Sequence, residues 1–265
     1  MKGWGLHSGV SAEVRFVPAP GPVRVRSGAS EVPVTDLVFD GAERSTRGRD
    51  PSGTFTVRTT EHLFAALAAL GIREGLLLEI DGPELPILDG GAAAWFDALA
   101  RLGLVPSAPR LAIVRAATID VGTSRYELEP DEGVALEVTV DFGDPRLASH
   151  AAWDGAAADF RARIAPARTF GFEHELDALT ARGLARHAPP ESVVLVGRER
   201  IHAAGAPFEA DEPARHKLLD LAGDLYAHGG PPRGRIRATR PGHAATHAAV
   251  ARARQDGILA ATGSA

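Results

Sequence analysis

The 265-residue chain contains no cysteine. This absence excludes a disulfide framework and fits a reducing compartment, so we expect a cytoplasmic protein. It also means that any transition-metal site has to be built from His, Asp and Glu side chains. The Cys-rich structural zinc classes are thereby excluded, and a catalytic type of metal site is favoured.

The chain also lacks long apolar runs and basic clusters. Its most apolar stretch, residues 63–72, is too short to span a bilayer, and the N-terminal sequence MKGWGLHSGV has no apolar signal-peptide core. Arginines are scattered among acidic residues, and the formal net charge is −5. We therefore expect no integral membrane segment and no nucleic-acid partner, and we take the protein to be a monomer.

What is present is ordinary globular composition, 45% hydrophobic and 24% charged. At about 150 residues per domain, the length suggests two modest domains or one large one. The segment VPSAP at residues 105–109 is the best linker. It predicts an N-terminal domain over residues 1–106 and a C-terminal domain over residues 110–265.

Strand and helix patterns alternate in both parts, which indicates an α+β fold and suggests a duplicated unit. Strands are predicted at residues 11–17, 23–26, 36–39, 54–58, 75–80, 117–121, 124–129, 134–142, 192–196 and 234–240, with a possible strand at 199–203. Helices are predicted at residues 63–72, 93–102, 156–164, 173–182, 213–229 and 244–253. The tail GILAATGSA is expected to fray.

The predicted helix over residues 213–229 carries His216, Asp220 and Asp224 at four-residue spacing. Side chains at this spacing lie on one stripe of a helix, and a His and a carboxylate there can bind one metal ion together with a third ligand from elsewhere. Leucines occupy the other side, so the stripe alone is more typical of the wet face of an amphipathic helix.

Two more places carry ionisable residues at the ends of elements. Glu61 and His62 follow a strand and precede a helix that is apolar nearly all round, where Thr59 or Thr60 can cap the start. An exposed first turn, with Glu61 favoured by the helix dipole, is the alternative. The third place is His243, directly before the last helix.

Six motifs, in order, resemble the UDP-3-O-acyl-N-acetylglucosamine deacetylase family, the zinc amidases that commit precursors to lipid A. They are GWGLHSG (3–9), TTEHLFAALAALGI (59–72), DGPELPILDGGAAAWF (81–96), ARTFGF (167–172), HKLLDLAGDLY (216–226) and RPGHA (240–244). The resemblance covers nearly the whole chain. It implies two similar domains, each a mostly antiparallel sheet with helices, with the helices sandwiched between the sheets and the active site at the domain interface.

The resemblance also implies residue roles. His62, His216 and Asp220 match the zinc ligands, and Glu61 the general base that activates the attacking water. The remaining matches are Thr169 for the oxyanion, His243 for the departing amine, Asp224 as the carboxylate that orients His243, Lys217 and Arg240 for the nucleotide-sugar diphosphate, and Phe170 and Phe172 for the sugar and acyl passage. His7 lies in a matched motif and has either a site role or a turn-stabilising role, whereas Asp89 is interpreted as a turn residue.

Three segments depart from the family pattern. Only two residues precede GWGLHSG, so we expect either that the first sheet lacks an edge strand or that the start of the sequence is truncated. The segment ARHAPPES (185–192) replaces the family's usual sequence near the acyl passage, and GPPR (230–233) is short and rigid. The other histidines are expected to face solvent or to form local hydrogen bonds: His150, His174, His187, His202, His228 and His247.

Three functions remain open at this point. The first is removal of acetate from a UDP-linked, 3-O-acylated N-acetylglucosamine by a zinc amidase. The second is a divergent amidase acting on another acylated amino sugar, which the ARHAPPES segment motivates. The third is a catalytically silent homologue that binds a nucleotide sugar or lipid, against which the retention of both Glu61 and His243 argues.

Overall fold

The computed structural model describes residues 1–42 and 44–263, apart from the side chain of Ala42. The first half contains β1 (Lys2–Trp4), β2 (Ser11–Pro22), β3 (Arg24–Ser27), β4 (Ser30–Pro33), β5 (Val38–Ala42), β6 (Ser45–Arg49), β7 (Thr56–Arg58), α1 (Glu61–Ala69), β8 (Glu74–Asp81) and α2 (Ala93–Ala100). The second half contains β9 (Leu111–Ile113), β10 (Ala117–Val121), β11 (Ser124–Glu129), β12 (Val134–Thr139), β13 (His150–Trp153), α3 (Ala157–Asp159), β14 (Thr169–Phe172), α4 (Leu176–Ala181), β15 (Val193–Val196), β16 (Ile201–His202), α5 (Glu212–Tyr226), β17 (Gly234–Thr239), α6 (His243–Gln255) and β18 (Leu259–Ala261).

Each half builds a five-stranded sheet with the same connectivity. The strand orders are β1-β2-β8-β3-β4 and β10-β11-β17-β12-β13. In both sheets the last strand enters between two hairpins, antiparallel to the first hairpin (β2–β8, β11–β17) and parallel to the second (β3–β8, β12–β17). The suggested duplication is therefore present in the topology.

Each half also carries a small three-stranded sheet before its central helix. In the first half the strands β5, β6 and β7 pair antiparallel. In the second half β14 and β15 run parallel and β16 pairs antiparallel with β15. These small sheets flank the site described below.

The four longest described helices form a layer between the two large sheets. Helix α5 packs on β12, β13, α1 and α6, α1 also packs on α2, and α6 packs on β10. On the other side, the rings of Phe16 in β2 and Trp95 in α2 lie 6.1 Å apart. The α+β class is as the strand and helix patterns predicted, and the helices between two sheets are as the family resemblance implied.

One hydrophobic cluster joins both sheets to this helical layer. Its members include Val14 and Leu78 from the first sheet, Leu63 and Leu67 from α1, Leu218 and Leu221 from α5, and Leu136 and Val138 from the second sheet. The sequence patterns explain the elements. Strand β11 alternates buried and exposed residues, whereas α1 is apolar and buried on all sides.

Several predicted boundaries were wrong. The segment 156–164 has only three α-helical residues, followed by a π-helical turn at Phe160–Ile164, and 173–182 begins with a 3-10 turn. Thr60 precedes α1 without a side-chain cap, while the Thr59 hydroxyl donates to Glu84 Oε1 (2.9 Å). Burial of α1 on all sides, rather than capping, therefore accounts for its stability.

Two predictions about the ends of the chain were wrong as well. The first sheet does have an edge strand, because β1 pairs with β2 through Lys2 and Glu13. The tail does not fray throughout, since β18 pairs antiparallel with β9 and Leu259 is buried. Residues 264 and 265 of the tail lie outside the described part. No helix within the described ranges is long and apolar enough to cross a membrane.

Candidate active site

The site forms where helices α1 and α5 cross. A Cβ atom placed on Gly223 would lie only 2.0 Å from the backbone oxygen of Glu61. Glycine at this position therefore lets the first turn of α1 rest directly on the middle of α5. The crossing places Glu61 and His62 opposite the polar stripe of α5.

Three predicted ligands come together at this crossing. His62, His216 and Asp220 are all buried, and each offers a ligand atom within 4.8 Å of the others. The Nε2 atom of His216 lies 3.5 Å from Oδ1 of Asp220, and the rings of His62 and His216 are 5.1 Å apart. One ion can therefore contact all three side chains.

Backbone carbonyls orient both imidazoles. His62 Nδ1 lies 3.1 Å from the carbonyl oxygen of Gly91, and His216 Nδ1 lies 3.0 Å from that of Ala167. A carbonyl oxygen only accepts, so each Nδ1 carries the proton and each Nε2 is free to bind a metal ion. Two nitrogens and one carboxylate oxygen, with a fourth position left open, fit a catalytic metal site.

The electrostatics favour the ligand forms of these groups. Burial lowers the pKa of His62 to about 3 and also lowers the pKa of His216, so both rings are neutral. Burial alone would raise the pKa of Asp220, but the Lys217 ammonium, whose Nζ lies 2.8 Å from Oδ2, is the largest of the influences that lower it overall. Neutral imidazoles and an ionised carboxylate are the forms that bind metal ions.

Glu61 lies beside this ligand set and is 2% exposed. Its Oε2 accepts a hydrogen bond from the backbone N–H of Thr46 at 3.0 Å. Burial raises the pKa of Glu61 to about 8, with Asp220 and Asp224 adding to the rise and His243 opposing it. A carboxyl group with this pKa can exchange a proton near neutral pH.

His243 and Asp224 form an ion pair on the other side of the site. His243 Nδ1 lies 3.0 Å and 3.1 Å from the two carboxylate oxygens of Asp224, which is 1% exposed. Burial disfavours the imidazolium, but the charge and hydrogen bond of Asp224 raise the pKa of His243 to about 9. His243 is thus a protonated acid at neutral pH.

A cavity of about 290 Å³ is lined by the three predicted ligands, Glu61 and His243, whereas Asp224 lies behind His243 and is not among its lining residues. Its other lining residues include His7, Thr169, Phe170, Lys217, Ala185 and Ala188. Lys217 Nζ lies 2.8 Å from Asp220 Oδ2 and 5.8 Å from the ring centroid of Phe170. An apolar groove of about 750 Å³ shares Leu176, Ala188, Val193 and Leu195 with this cavity. The ARHAPPES segment therefore reaches the cavity wall through Ala185 and Ala188.

Two predicted substrate residues lie apart from this cavity. Arg240 is exposed, with Nη2 3.4 Å from Asp141 Oδ2. Phe172 lines a second cavity of about 460 Å³ together with Phe142. Neither residue is among those that line the cavity around the ligand set.

His7 and Asp89 take part in local structure. His7 donates its backbone N–H to Glu84 Oε1 (2.9 Å), so it stabilises the turn and lines the cavity at once. Asp89 accepts N–H groups from Gly91 and Ala94 at the start of α2, which agrees with its interpretation as a turn residue.

The sequence analysis missed three residues behind the ion pair. The Thr46 hydroxyl donates to Asp224, and His247 Nε2 lies 3.1 Å from the same hydroxyl. His247 in turn contacts His228, with 2.7 Å between their ring nitrogens. His247 is 7% exposed and its partner Thr46 is 201 positions away, so the solvent-facing or local interpretation was wrong for it. The sequence around Thr46, AERSTRGR, offers no spacing pattern that would have identified it.

Comparisons with known proteins bear on the family of this chain. The family model of UDP-3-O-acyl N-acetylglycosamine deacetylase (LpxC) matches residues 1–254. Over 261 residues, the chain is 36% identical to the UDP-3-O-acyl-N-acetylglucosamine deacetylase of Phenylobacterium zucineum, covering 94% of this chain and 88% of that one. The enzyme of the same name from Myxococcus xanthus is 35% identical, covering 97% and 84%, and that from Brucella melitensis biotype 2 is 34% identical, covering 94% and 90%. Matches of this extent show that the chain belongs to the UDP-3-O-acyl-N-acetylglucosamine deacetylase family.

Proposed function

We propose that this protein is a zinc-dependent amide hydrolase that removes acetate from UDP-3-O-acyl-N-acetylglucosamine in lipid A biosynthesis. Membership of the deacetylase family supports the substrate and the reaction. The observation that carries the metal is the meeting of His62, His216 and Asp220 with both Nε2 atoms free. Two imidazole nitrogens and one carboxylate oxygen suit zinc or iron(II), and the zinc dependence of the family that the sequence resembles favours zinc.

The residues around the ligand set supply the acid–base chemistry. A zinc ion held there would act as a Lewis acid, lower the pKa of a coordinated water and favour the Glu61 carboxylate. Glu61 removes a proton from the attacking water as the water oxygen bonds to the amide carbon. The hydroxyl of Thr169 and the His243 imidazolium stabilise the resulting oxyanion. The C–N bond then breaks as His243 donates its proton to the amine nitrogen. The acetate that leaves contains the oxygen atom of the attacking water.

Substrate binding is proposed at the same cavity. Lys217 is placed to meet an anionic group, because it lines the cavity beside Asp220. Phe170 and His7 would contact the sugar, and the adjoining apolar groove suits an acyl chain. Arg240 and Phe172 remain predicted contacts for parts of the substrate that extend beyond the cavity.

We also propose that the two domains comprise residues 1–106 and 110–265. The repeated strand order of the two large sheets supports a division between β8 and β10. Under this division the cavity lies at the interface, because Glu61 and His62 come from one domain and His216, Asp220 and His243 from the other. A cytoplasmic location remains the prediction, in line with a chain that has no cysteine. A monomer remains the prediction for the oligomeric state.

The experiment combines metal analysis with acetate release. We expect the purified protein to bind about one zinc ion per chain and to release acetate from the UDP-linked substrate. Glu61→Ala and His243→Ala should keep the metal and lower kcat by roughly 10²- to 10⁴-fold. His150→Ala, at an exposed histidine, is the matched control and should behave as the wild type.

Three outcomes would contradict parts of the proposal. A metal-loaded protein that releases no acetate would exclude this substrate and favour a divergent amidase or a silent homologue, which other acylated amino sugars would then distinguish. Unchanged turnover in Glu61→Ala would exclude the assigned base. Protein that binds no metal would exclude the site.

A further inference from the structure

Thr46 contacts two carboxylates of the proposed mechanism, Glu61 and Asp224, from outside the substrate cavity. It lies in β6 and is fully buried. Its backbone N–H donates to Glu61 Oε2 at 3.0 Å, and its hydroxyl donates to Asp224 Oδ1. One residue of the first half therefore fixes the base and the carboxylate that orients the acid.

Two histidines continue this contact away from the cavity. His247 Nε2 lies 3.1 Å from the Thr46 hydroxyl and 4.0 Å from Asp224 Oδ1. His247 Nδ1 lies 2.7 Å from Nε2 of His228, which is half-buried. A hydrogen-bonded row thus runs from Asp224 through Thr46 and His247 to His228.

Assigning a donor and an acceptor to each hydrogen bond shows that all the bonds of this row run in one direction. The Asp224 carboxylate only accepts, so the Thr46 hydroxyl donates its one hydrogen bond to Asp224 and accepts a hydrogen bond from the Nε2–H of His247. A neutral His247 then has no proton on Nδ1 and accepts from His228 Nε2. Every donor points towards Asp224, an arrangement in which each hydrogen bond polarises the next.

The surroundings keep both imidazoles neutral and in place. Burial lowers the pKa of His228 to about 4 and also lowers the pKa of His247. The ring of Phe39 in β5 stacks on His247 at 6.1 Å and meets His228 edge-on at 6.0 Å. A Cβ atom on Gly41 of the same strand would lie 2.1 Å from the backbone nitrogen of Ala244. The hairpin that carries Thr46 is therefore docked tightly against α6.

We propose that Thr46, His247 and His228 form a positioning network that holds Asp224 against His243 and Glu61 against the attacking water. This role rests on the proposed deacetylase function, because it concerns the acid and base of that reaction. None of the three residues is among those that line the substrate cavity. The network therefore acts on the chemical step and not on substrate binding.

The kinetic test compares Thr46→Val, which is nearly isosteric, with Thr46→Ser, which keeps the hydroxyl. Thr46→Val should lower kcat by roughly 10- to 100-fold with KM changed by less than about twofold, because misplaced catalytic groups slow the step without weakening binding. Thr46→Ser should restore kcat to within about threefold of the wild type. Thr139→Val, at an exposed threonine of β12, is the matched control and should leave kcat unchanged. Metal content and thermal unfolding measured on each variant separate misfolding from misplacement.

The histidines are tested by His247→Phe alone and combined with Thr46→Val. His247→Phe should lower kcat by roughly 2- to 10-fold, the contribution of about one hydrogen bond. The double variant should be no slower than Thr46→Val, because both substitutions interrupt one row. Wild-type turnover in a folded Thr46→Val protein, or independent effects in the double variant, would overturn the proposal.

A second measurement does not depend on turnover. Ring ¹⁵N spectra of histidine-labelled protein should show His247 and His228 neutral and protonated at Nε2, and Thr46→Val should shift the His247 signals. If the protein gives these spectra but releases no acetate, the result would contradict the proposed function and still support the network. Protonation at Nδ1 of His247 would overturn the network even in an active enzyme.

Discussion

Helices α1 and α5 occupy equivalent places in the two halves, each followed by the last strand of its own large sheet. Helix α1 has nine residues, all buried, and its ionisable groups, Glu61 and His62, are confined to the first turn. Helix α5 has 15 residues and carries His216, Asp220 and Asp224 along one side. The two halves share one topology, but the polar groups of the site lie at the end of a helix in the first half and along the face of a helix in the second.

This difference shows how a repeated fold can make one asymmetric site. The end of α1 meets the middle of α5, so the predicted ligands and the proposed acid–base groups line one cavity although both halves contribute. The polar side chains of the α5 stripe are buried, but they have partners. His216 forms a hydrogen bond with the Ala167 carbonyl, and Asp220 pairs with Lys217. The contact between the halves is thus a condition for the site.

The largest expected effect comes from removing ligands on either side of this contact. We predict that His62→Ala and His216→Ala each weaken metal binding by more than about 100-fold, since even residues that only orient ligands account for roughly 10- to 100-fold. Metal content after dialysis against a weak chelator measures this. Full metal retention in His62→Ala would mean that α5 binds the ion without the first half.

The next largest effect is expected on the pH dependence of activity, which depends on His243 of the second half. His243 is protonated below its raised pKa of about 9, so activity that depends on this acid is lost as the pH rises through about 9. Asp224→Asn removes the charge that raises this pKa, and the alkaline limb of kcat/KM should move to lower pH. A pH profile from 6 to 10 checks this, and an unshifted limb in Asp224→Asn would exclude the pair as its source.

A smaller effect is expected from loosening the helix crossing itself. In Gly223→Ala the new methyl group meets the backbone of α1, at a cost of about 3 kcal/mol or more, whereas the gain in helix propensity is about 1 kcal/mol. We predict a net loss of about 2 kcal/mol in the free energy of unfolding, with weaker metal binding. Denaturant unfolding measures the first and metal titration the second. Gly133→Ala is the control, because a Cβ atom there meets nothing within 4 Å.

The smallest effect on the site is expected far from the crossing. Leu259→Ala in β18 should lower the free energy of unfolding by about 2 kcal/mol, since Leu259 is 7% exposed and belongs to the core. Ala261→Ser, at an exposed position of the same strand, is its control. Metal content should be unchanged in both. A loss of metal in Leu259→Ala would mean that the β9–β18 pair supports the site.

Local patterns accounted for most of the elements, and the family resemblance, not the patterns, assigned the predicted ligands. Four-residue spacing on one helix placed His216, Asp220 and Asp224 on one stripe, and the apolar run after His62 predicted a buried helix. The boundaries around α3 and α4 were missed, because those segments follow neither period strictly. Strand β18 was missed because three residues after the last helix form a strand only by pairing with β9.

The residues behind the ion pair were beyond any local pattern. Thr46 and Asp224 are 178 positions apart, and neither the spacing nor the residue types around Thr46 indicate that they meet. Only the docking of the β5–β6 hairpin on α6 brings Thr46, His228 and His247 into one row. Such a contact depends on how two halves pack, and sequence periodicity describes each half separately.

The sequence by itself determined the absence of thiolate ligands, the helices that carry the polar groups, and the family. The tertiary structure decided which atoms meet: the crossing at Gly223, the carbonyls that leave both Nε2 atoms free, and the buried pairing of Asp224 with His243. The physical reason is the distance along the chain over which each influence acts. Helix periodicity and chain composition act over a few residues, whereas a buried charge is stabilised only by partners that folding brings from distant parts of the chain.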